Sequence, residues 1–335
     1  MKTIEQQKSL KAYNTFGVEC FCEYFISVST TEELVASLLN EDFSERFILG
    51  SGSNLLFTKN LSGLCIHIDL KGIRVIEEDA DHVIIEASAG ENWHDFVIWT
   101  LDQGYGGLEN LALIPGNIGT APIQNIGAYG VELKDSFVNC TTLDTKTATP
   151  HQFNLEEAVF GYRNSIFKTD LKGKHVITAV QFRLTKKNHA LKTAYGTLQE
   201  ELGNNLPTPK NIAEAVIAIR QRKLPDPKKI GNSGSFFKNP VITEKHFQKL
   251  LVAYPEMPHY RISNSEVKIP AGWIIDSLGY KGIKRGGAGV HEHQALVLVN
   301  HGNARGIEIL SLAQEIQEKV LERFEISLEI EVNIY

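Results

Sequence analysis

A basic excess is missing from this sequence. Lys and Arg number 34 against 40 Asp and Glu, a formal net charge of -6. A nucleic-acid-binding protein would carry a basic footprint instead, although a local basic site for a small anion stays open. Long apolar runs are missing too. Nothing approaches the ~18 residues a membrane span needs, and Ala295–Val299, the most apolar short run near the C-terminus, is strand-sized. Met1–Leu10 is polar and holds no apolar signal segment, which predicts a cytoplasmic protein. Cysteine is scarce: Cys20, Cys22, Cys65 and Cys140 form no C-x2-C pair and no nearby His pair accompanies them. Reduced thiols and no metal site are expected. Repeats of solenoid period and low-complexity segments are likewise absent. What remains is a globular composition, 42% hydrophobic over 335 residues, enough for a sizeable core and, at roughly 100–200 residues per domain, for two or three domains.

Periodicity predicts a mixed α+β chain. Thr30 and Glu33 form a capping-box pair ahead of a helix striped by Leu34, Val35, Leu38 and Leu39. Short strands are expected at Phe47–Leu49, Leu55–Phe57, around Ile66, Ile68 and Leu70, and at Val83–Ala87. Trp93, Phe96, Val97 and Leu101 predict a helix. Strands resume at Phe137–Leu143 and at Val176–Leu184, where Val180, Phe182 and Leu184 share a face. Asn211 with Glu214 opens another helix, stopped at Leu224-Pro225-Asp226-Pro227, where a domain boundary is placed. Helices follow after Thr243, at Ala271–Leu278 and after Asn303. The chain closes on Leu328, Ile330, Val332 and Ile334, a period-2 strand free to return to an earlier sheet.

Several stretches carry candidate chemistry. Gly50-Ser51-Gly52-Ser53-Asn54 lacks the third Gly of a dinucleotide fingerprint, so it is either a plain turn or a nest whose N–H groups and hydroxyls hold phosphate. Ile114–Gly130 is Gly- and Pro-rich and polar only through neutral groups such as Asn117, Thr120, Gln124 and Asn125. It reads as an irregular structural loop or as a ligand holder. The ligand reading is preferred, because an uncharged irregular stretch is costly to bury without one. Gly231–Pro240 hinges Ser235 and Asn239 between Gly231, Gly234 and the apolar pair Phe236-Phe237; it is a turn into a buried strand or a site. Ser165-x-x-Lys168 has acyl-enzyme spacing but lacks the Ser-Asp-Asn and Lys-Thr-Gly companions. His291 and His293 would point apart on a strand, so metal binding is not expected.

In this order, the motifs resemble the UDP-N-acetylenolpyruvoylglucosamine reductase family. The likeness runs from Asn14-Thr15-Phe16-Gly17 through Gly50–Asn54, Ile114–Gly130, Tyr162–Lys168, Lys223–Pro227, Gly231–Pro240 and Ala271–Asp276 to Leu328–Val332. Pro-Ile-Gln-Asn-Ile-Gly-Ala-Tyr-Gly and Gly-Ser-Phe-Phe-Lys-Asn-Pro are its most specific strings. The resemblance implies an FAD-binding domain of the vanillyl-alcohol-oxidase (PCMH) type in two subdomains, plus a C-terminal α+β substrate domain. The expected boundaries are 1–70 (joined by 326–335), 71–222 and 223–325. Non-covalent FAD would be held by Gly50, Ser51, Gly52, Ser53, Asn54, Pro115, Gly116, Gly119, Thr120, Gln124, Asn125 and Gly127. The catalytic group maps onto Arg163, Ser235 and Glu331, and Tyr195, Lys223, Asn239 and Gln294 onto residues gripping a UDP-sugar. Tyr195 within Leu191–Leu198, with the long stretch between Pro240 and Ala271, looks like the family's longer form.

The implied reaction uses NADPH as reductant and a UDP-sugar enolpyruvyl ether as substrate, in a cytoplasmic monomer with no nucleic-acid or membrane partner. Arg163 would offset charge on the substrate carboxylate, Ser235 would give a proton to C2, and Lys223 would meet the diphosphate as a point charge. Two departures stand out: Asn117-Ile118 fills the Gly116–Gly119 turn unusually, and the short tail after Glu331 is expected to leave the last strand less tied down. A flavin oxidase of the same fold and a nucleotide-binding protein without redox chemistry are the rival readings.

Overall fold

The computed structural model describes residues 3–335, which form two compact units. One comprises the N-terminal stretch up to Lys8, then Cys22–Ser51 and Leu61–Arg222; the other comprises Ser9–Phe21, Gly52–Asn60 and Lys223–Tyr335.

The first unit contains two sheets. In one, Phe21–Val28, Leu61–Ile68 and Arg46–Leu49 run parallel, with Glu5–Ser9 outermost. The helix Thr31–Leu38 lays Leu34 and Leu38 into the same core as Val28, Leu64 and Ile66. Thr30 Oγ1 accepts from Glu33 N at 3.2 Å. The Glu33 carboxylate also accepts from Ser29 N at 2.7 Å.

The second sheet is antiparallel, in the order Pro150–Asn154, Phe137–Asp144, His175–Thr185, His82–Ser88, Ile73–Glu78. Val180, Phe182 and Leu184 are buried on one face, as their alternation predicts. The helix Trp93–Asp102 sets Trp93 and Phe96 against Phe182, with ring centroids at 5.9 and 5.2 Å. The helix Pro209–Lys223 adds Ile212, Val216 and Ile219 to that core. It starts earlier than Asn211. Thr208 Oγ1 accepts from Asn211 N at 3.2 Å while Asn211 Oδ1 accepts from Thr208 N at 2.7 Å, so Asn211 serves inside the first turn. Pro209 fits there because the first helical N–H needs no partner.

In the second unit the helix Gly306–Phe324 buries Ile309, Leu312, Ala313, Ile316, Val320 and Phe324 in one core. Two short antiparallel sheets join that unit: Val241–Thr243, Glu266–Lys268 and Tyr260–Arg261, and Lys284–Arg285, Ala288–Val290 and Leu298–Asn300. The period-2 ending is only partly a strand. Leu328 and Val332 are buried, but the regular ladder is Asn333–Ile334, parallel to Leu55–Leu56. The tail is also firmly held, contrary to expectation: Tyr335 O accepts from Thr58 N at 2.6 Å and Thr58 Oγ1 at 2.7 Å, and Tyr335 N donates to Leu56 O at 3.0 Å. All four cysteines are buried and none is in a disulfide. Burial pushes the Cys140 thiol up to about 12. Among the described residues no helix is long and apolar enough to cross a membrane.

Candidate active site

In the first unit, Ile114–Gly130 is neither strand nor long helix. Short 3-10 turns at Ile118–Thr120 and Pro122–Gln124 shape it, and its entry is strapped along residues 89–94. Trp93 Nε1 donates to Leu111 O at 2.8 Å and Trp93 N to Gly116 O at 3.0 Å; Ile118 N donates to Glu91 O and Gly119 N to Ala89 O, each at 2.9 Å. Close approach decides residue types here. A Cβ on Gly119 would lie 2.6 Å from the Ala89 Cβ, and one on Gly50 would lie 2.7 Å from Thr120 Cγ2, so Gly50 and the loop are brought together.

The loop's polar residues divide between self-support and availability. Thr120 Oγ1 accepts from Asn117 N at 3.2 Å and donates to Asn117 O at 2.8 Å. Asn125 is fully buried at φ +44°, donating to Glu132 Oε2 and Gly161 O at 3.0 Å each and accepting from Lys134 N at 3.1 Å. Its side chain is occupied within the protein, and its contribution to a cofactor site is the shape of the turn. Gly116 differs: it is buried at φ +142°, and its N–H has no partner among the described residues. Buried orphan N–H groups are rare and mark a place for a ligand acceptor. Gln124 ends the second 3-10 turn, Pro115 is exposed, and Ser51 follows Gly50 at the close of that segment.

Arg163 sits at φ +53° in the tight turn Gly161–Asn164, which closes on itself through Gly161 N to Asn164 O at 3.0 Å and Asn164 N to Gly161 O at 3.1 Å. A left-handed arginine costs on the order of 1–3 kcal/mol and persists where its surroundings fix it. Here Arg163 Nη2 donates to Gly127 O at 2.8 Å, and Lys168 Nζ donates to Arg163 O at 3.3 Å. The acyl-enzyme reading of Ser165 ends at this turn, because Ser165 is buried and donates to Ile123 O at 2.7 Å. Tyr195 is 46% exposed, its ring edge-on to Tyr129 at 5.5 Å. Burial raises the Tyr129 phenol, against the opposing pull of Arg220.

Arg220 is a residue the sequence reading missed. Its signal was a cation four positions after Val216 on an otherwise apolar helical stripe. It is partly buried, and among the described residues its single hydrogen bond is from Nε to Leu113 O at 3.2 Å, with no carboxylate partner. His94, which accepts from Leu113 N, was missed as well.

The second unit gathers the other candidates. Asn14–Gly17, Gly52–Asn54 and Gly231–Ser235 are knitted by main-chain bonds: Thr15 N to Gly52 O at 3.1 Å and Asn232 N to Thr15 O at 3.0 Å. Thr15 Oγ1 and Ser233 Oγ lie 3.3 Å apart, and Asn54 Nδ2 donates to Glu331 O at 3.4 Å. A Cβ on Gly231 would collide with Phe16 O. Phe236 and Phe237 are buried and stack edge-on at 5.3 Å, each worth about 2–3 kcal/mol of burial. They anchor a strand-like run beside the returning tail, where Glu331 N donates to Phe236 O and Lys238 N to Glu329 O, both at 2.9 Å. Phe237 bridges Ile330 in this pairing, so Glu331 stands opposite Phe236, the residue after Ser235. Ser235 is half-buried and its Oγ has no partner among the described residues.

Asn239 and Gln294 meet at the start of the helix Ala271–Ser277: Asn239 Oδ1 accepts from Ala271 N at 2.9 Å, and Gln294 Oε1 lies 3.1 Å from where a Gly272 Cβ would stand. The Asn239 amide N–H groups have no partner among the described residues, and neither has the exposed Lys223 ammonium. His291 and His293 do not point apart. They lie in a turn with rings 5.6 Å from centroid to centroid, and no cluster able to hold a metal occurs among the described residues.

The C-terminal domain profile of UDP-N-acetylenolpyruvoylglucosamine reductase matches residues 226–335. A Flavobacterium johnsoniae protein of that name is 53% identical over 334 residues, covering 99% of both chains. The chain belongs to the UDP-N-acetylenolpyruvoylglucosamine reductase family. A Pseudomonas putida reductase is 44% identical, covering 99% of this chain and 98% of its own. The crystal structure of the Thermus caldophilus reductase aligns with a TM-score of 0.69 at 25% identity, covering 99% of this chain and 98% of that one. A general FAD binding domain profile matches residues 23–152. The fold is thus α+β with an FAD-binding domain, and the chain is an oxidoreductase of the reductase family. The first unit suits FAD: the Gly50 and Gly119 cradle leaves no room for side chains, and Gly116 presents an unmatched buried donor.

Proposed function

We propose that this chain is the NADPH-dependent flavoenzyme that reduces the enolpyruvyl group of UDP-N-acetylglucosamine enolpyruvate to give UDP-N-acetylmuramate, a step of peptidoglycan precursor synthesis. The observation that carries the reading is the second unit's Ser235. It has an unpartnered hydroxyl on a backbone fixed next to the Phe236–Glu331 pairing, in a chain similar to named reductases along its whole length. Gly50–Asn54, Pro115, Gly116, Gly119, Thr120, Gln124, Asn125 and Gly127 would hold FAD non-covalently. FAD bound there would supply the two-electron hydride chemistry that links NADPH to C3 of the enol ether.

The protein's own residues do the rest. Arg163, with its main chain fixed and Nη2 on Gly127 O, presents preorganised positive charge for the substrate carboxylate, onto which charge spreads as C3 gains hydride. Ser235 gives its hydroxyl proton to C2. A free serine is a weak acid, so it works only when aimed at a strongly basic carbon, which explains why its hydroxyl is left without a competing acceptor. A protonated Glu331 would help hold the charge of the enolate. Lys223 offers a point charge to the diphosphate, Asn239 and Gln294 offer amides, and Tyr195 offers an aromatic face to the UDP-sugar. This chemistry belongs to a monomeric cytoplasmic enzyme acting on small molecules.

Two measurements test the reading. Purified protein should be yellow, release FAD on denaturation, and oxidise NADPH only when UDP-N-acetylglucosamine enolpyruvate is present. Colourless protein with no releasable FAD refutes the flavoenzyme. Yellow protein that ignores the substrate leaves a flavin oxidase of the same fold.

A further inference from the structure

Leu113 stands immediately before Ile114–Gly130 and adopts φ +58°, the left-handed region that leucine rarely occupies. Such a residue persists where its surroundings over-determine it. Both sides of Leu113 are held: its N–H donates to His94 Nδ1 at 3.1 Å, and its carbonyl accepts from Arg220 Nε at 3.2 Å. His94 comes from the helix Trp93–Asp102 and Arg220 from the helix Pro209–Lys223, so two separate elements fix one peptide. Two residues earlier and three later the chain is fixed again, by Trp93 on Leu111 O and Gly116 O. Of these restraints, the one through His94 has an acceptor that titrates.

The geometry demands a neutral imidazole. Nδ1 must keep its lone pair for the Leu113 N–H, so the ring's proton sits on Nε2; adding a second proton would aim N–H at N–H. We propose that His94 and Arg220 are positioning residues that hold Leu113 left-handed and so set the entry of the cofactor loop, and that His94 makes cofactor retention sensitive to acid. The proposal rests on the FAD reading above.

The charged groups facing His94 bear on its direction. Burial lowers its pKa most, Asp95 beside it on the same helix pulls the other way, and Arg220 lowers it further; the result lies below the ordinary histidine value. A lowered folded value means that the bond's support is fully present above the unfolded pKa of about 6.5, and is lost as pH falls through the folded value.

The test measures FAD dissociation from the holoprotein by recovery of free-flavin fluorescence on dilution, between pH of about 7.5 and about 5. Far-UV circular dichroism confirms folding at each pH. Wild-type Kd should rise about tenfold across that range, the loss of one hydrogen bond's worth of affinity. His94→Asn places an amide oxygen where Nδ1 stood, accepts without titrating, and should hold FAD with a Kd flat within about twofold. His94→Leu should bind weakly at every pH. A pH-flat wild type, a His94→Asn that keeps the wild-type acid sensitivity, or a His94→Leu as tight as wild type each overturns the clamp while leaving the FAD reading intact. Protein that holds no FAD at any pH sinks the reading beneath it, and the proposal with it.

Discussion

Ile114–Gly130 and Gly231–Pro240 are both glycine-hinged and both polar without being highly charged, yet the structure treats their side chains oppositely. In the first, the side chains of Thr120 and Asn125 are turned inward to support the main chain. A buried donor left over is a backbone N–H, that of Gly116. In the second, the main chain is secured by its neighbours, and the groups left over are the Ser235 hydroxyl and the Asn239 amide. A segment that must cradle a large flat ligand spends its side chains on its own shape. A segment that must deliver a proton keeps one side chain unspent on a rigid backbone.

The comparison breaks most sharply at Ser235. Ser235→Ala is expected to leave flavin reduction by NADPH within about twofold while slowing substrate-driven reoxidation by about 100-fold or more, the usual weight of a positioned acid. Anaerobic stopped-flow absorbance separates the two half-reactions, and an equal fall in both removes Ser235 from the role of proton donor. Gly231→Ala attacks the backbone of the same segment. Its Cβ meets the Phe16 carbonyl, so a loss of about 3 kcal/mol is expected, read as a lower urea midpoint.

In the other segment, Asn125→Ala strips two donors and an acceptor from a buried knot. It should cost about 2 kcal/mol and weaken FAD retention, while the ratio of the two half-reaction rates in the remaining holoenzyme stays near wild type. Thr243→Ala lies outside both segments, where Thr243 Oγ1 accepts from His246 N at 3.2 Å ahead of the helix Glu244–Ala253. It should lower stability by about 1 kcal/mol with no change in FAD content or in either half-reaction. A shift in flavin behaviour there would mean that the two segments are not the seats of these functions.

Legibility in the sequence followed burial. The faces of His175–Thr185 and Gly306–Phe324 could be read because one side of each is core and the periodicity records it. Edge strands were not legible. Ile73–Glu78 is exposed along nearly its whole length and shows no alternation, and Pro150–Asn154 is similarly open. Thr208 was passed over as a cap because Asn211 stands where a capping box usually has Glu.

The candidate site was readable where it rests on residue type: glycine cradles, a serine between a hinge and two anchoring phenylalanines, and an arginine in a tight turn. It was not readable where it rests on conformation. Nothing about a leucine announces φ +58°, and nothing about His94 announces the peptide it holds. The dense internal bonding of Asn125 is also invisible without coordinates, since an asparagine that supports a turn and one that meets a ligand are the same letter.

The make-up of the second unit also bears on how the protein is synthesised. Ser9–Phe21 and Gly52–Asn60 leave the ribosome early, but the partners that bury Phe16 and Leu56 lie beyond Lys223. At about 5–20 residues per second, these early segments wait on the order of 10 s for their core. During that interval Phe16, Val18 and Leu56 are apolar surface without cover. The sequence between them and their partners is the bulk of the first unit, which can fold meanwhile. Slowing elongation across Leu61–Arg222 would lengthen that exposure, and the nascent chain is expected to draw more heavily on chaperones there than after residue 335 has been added.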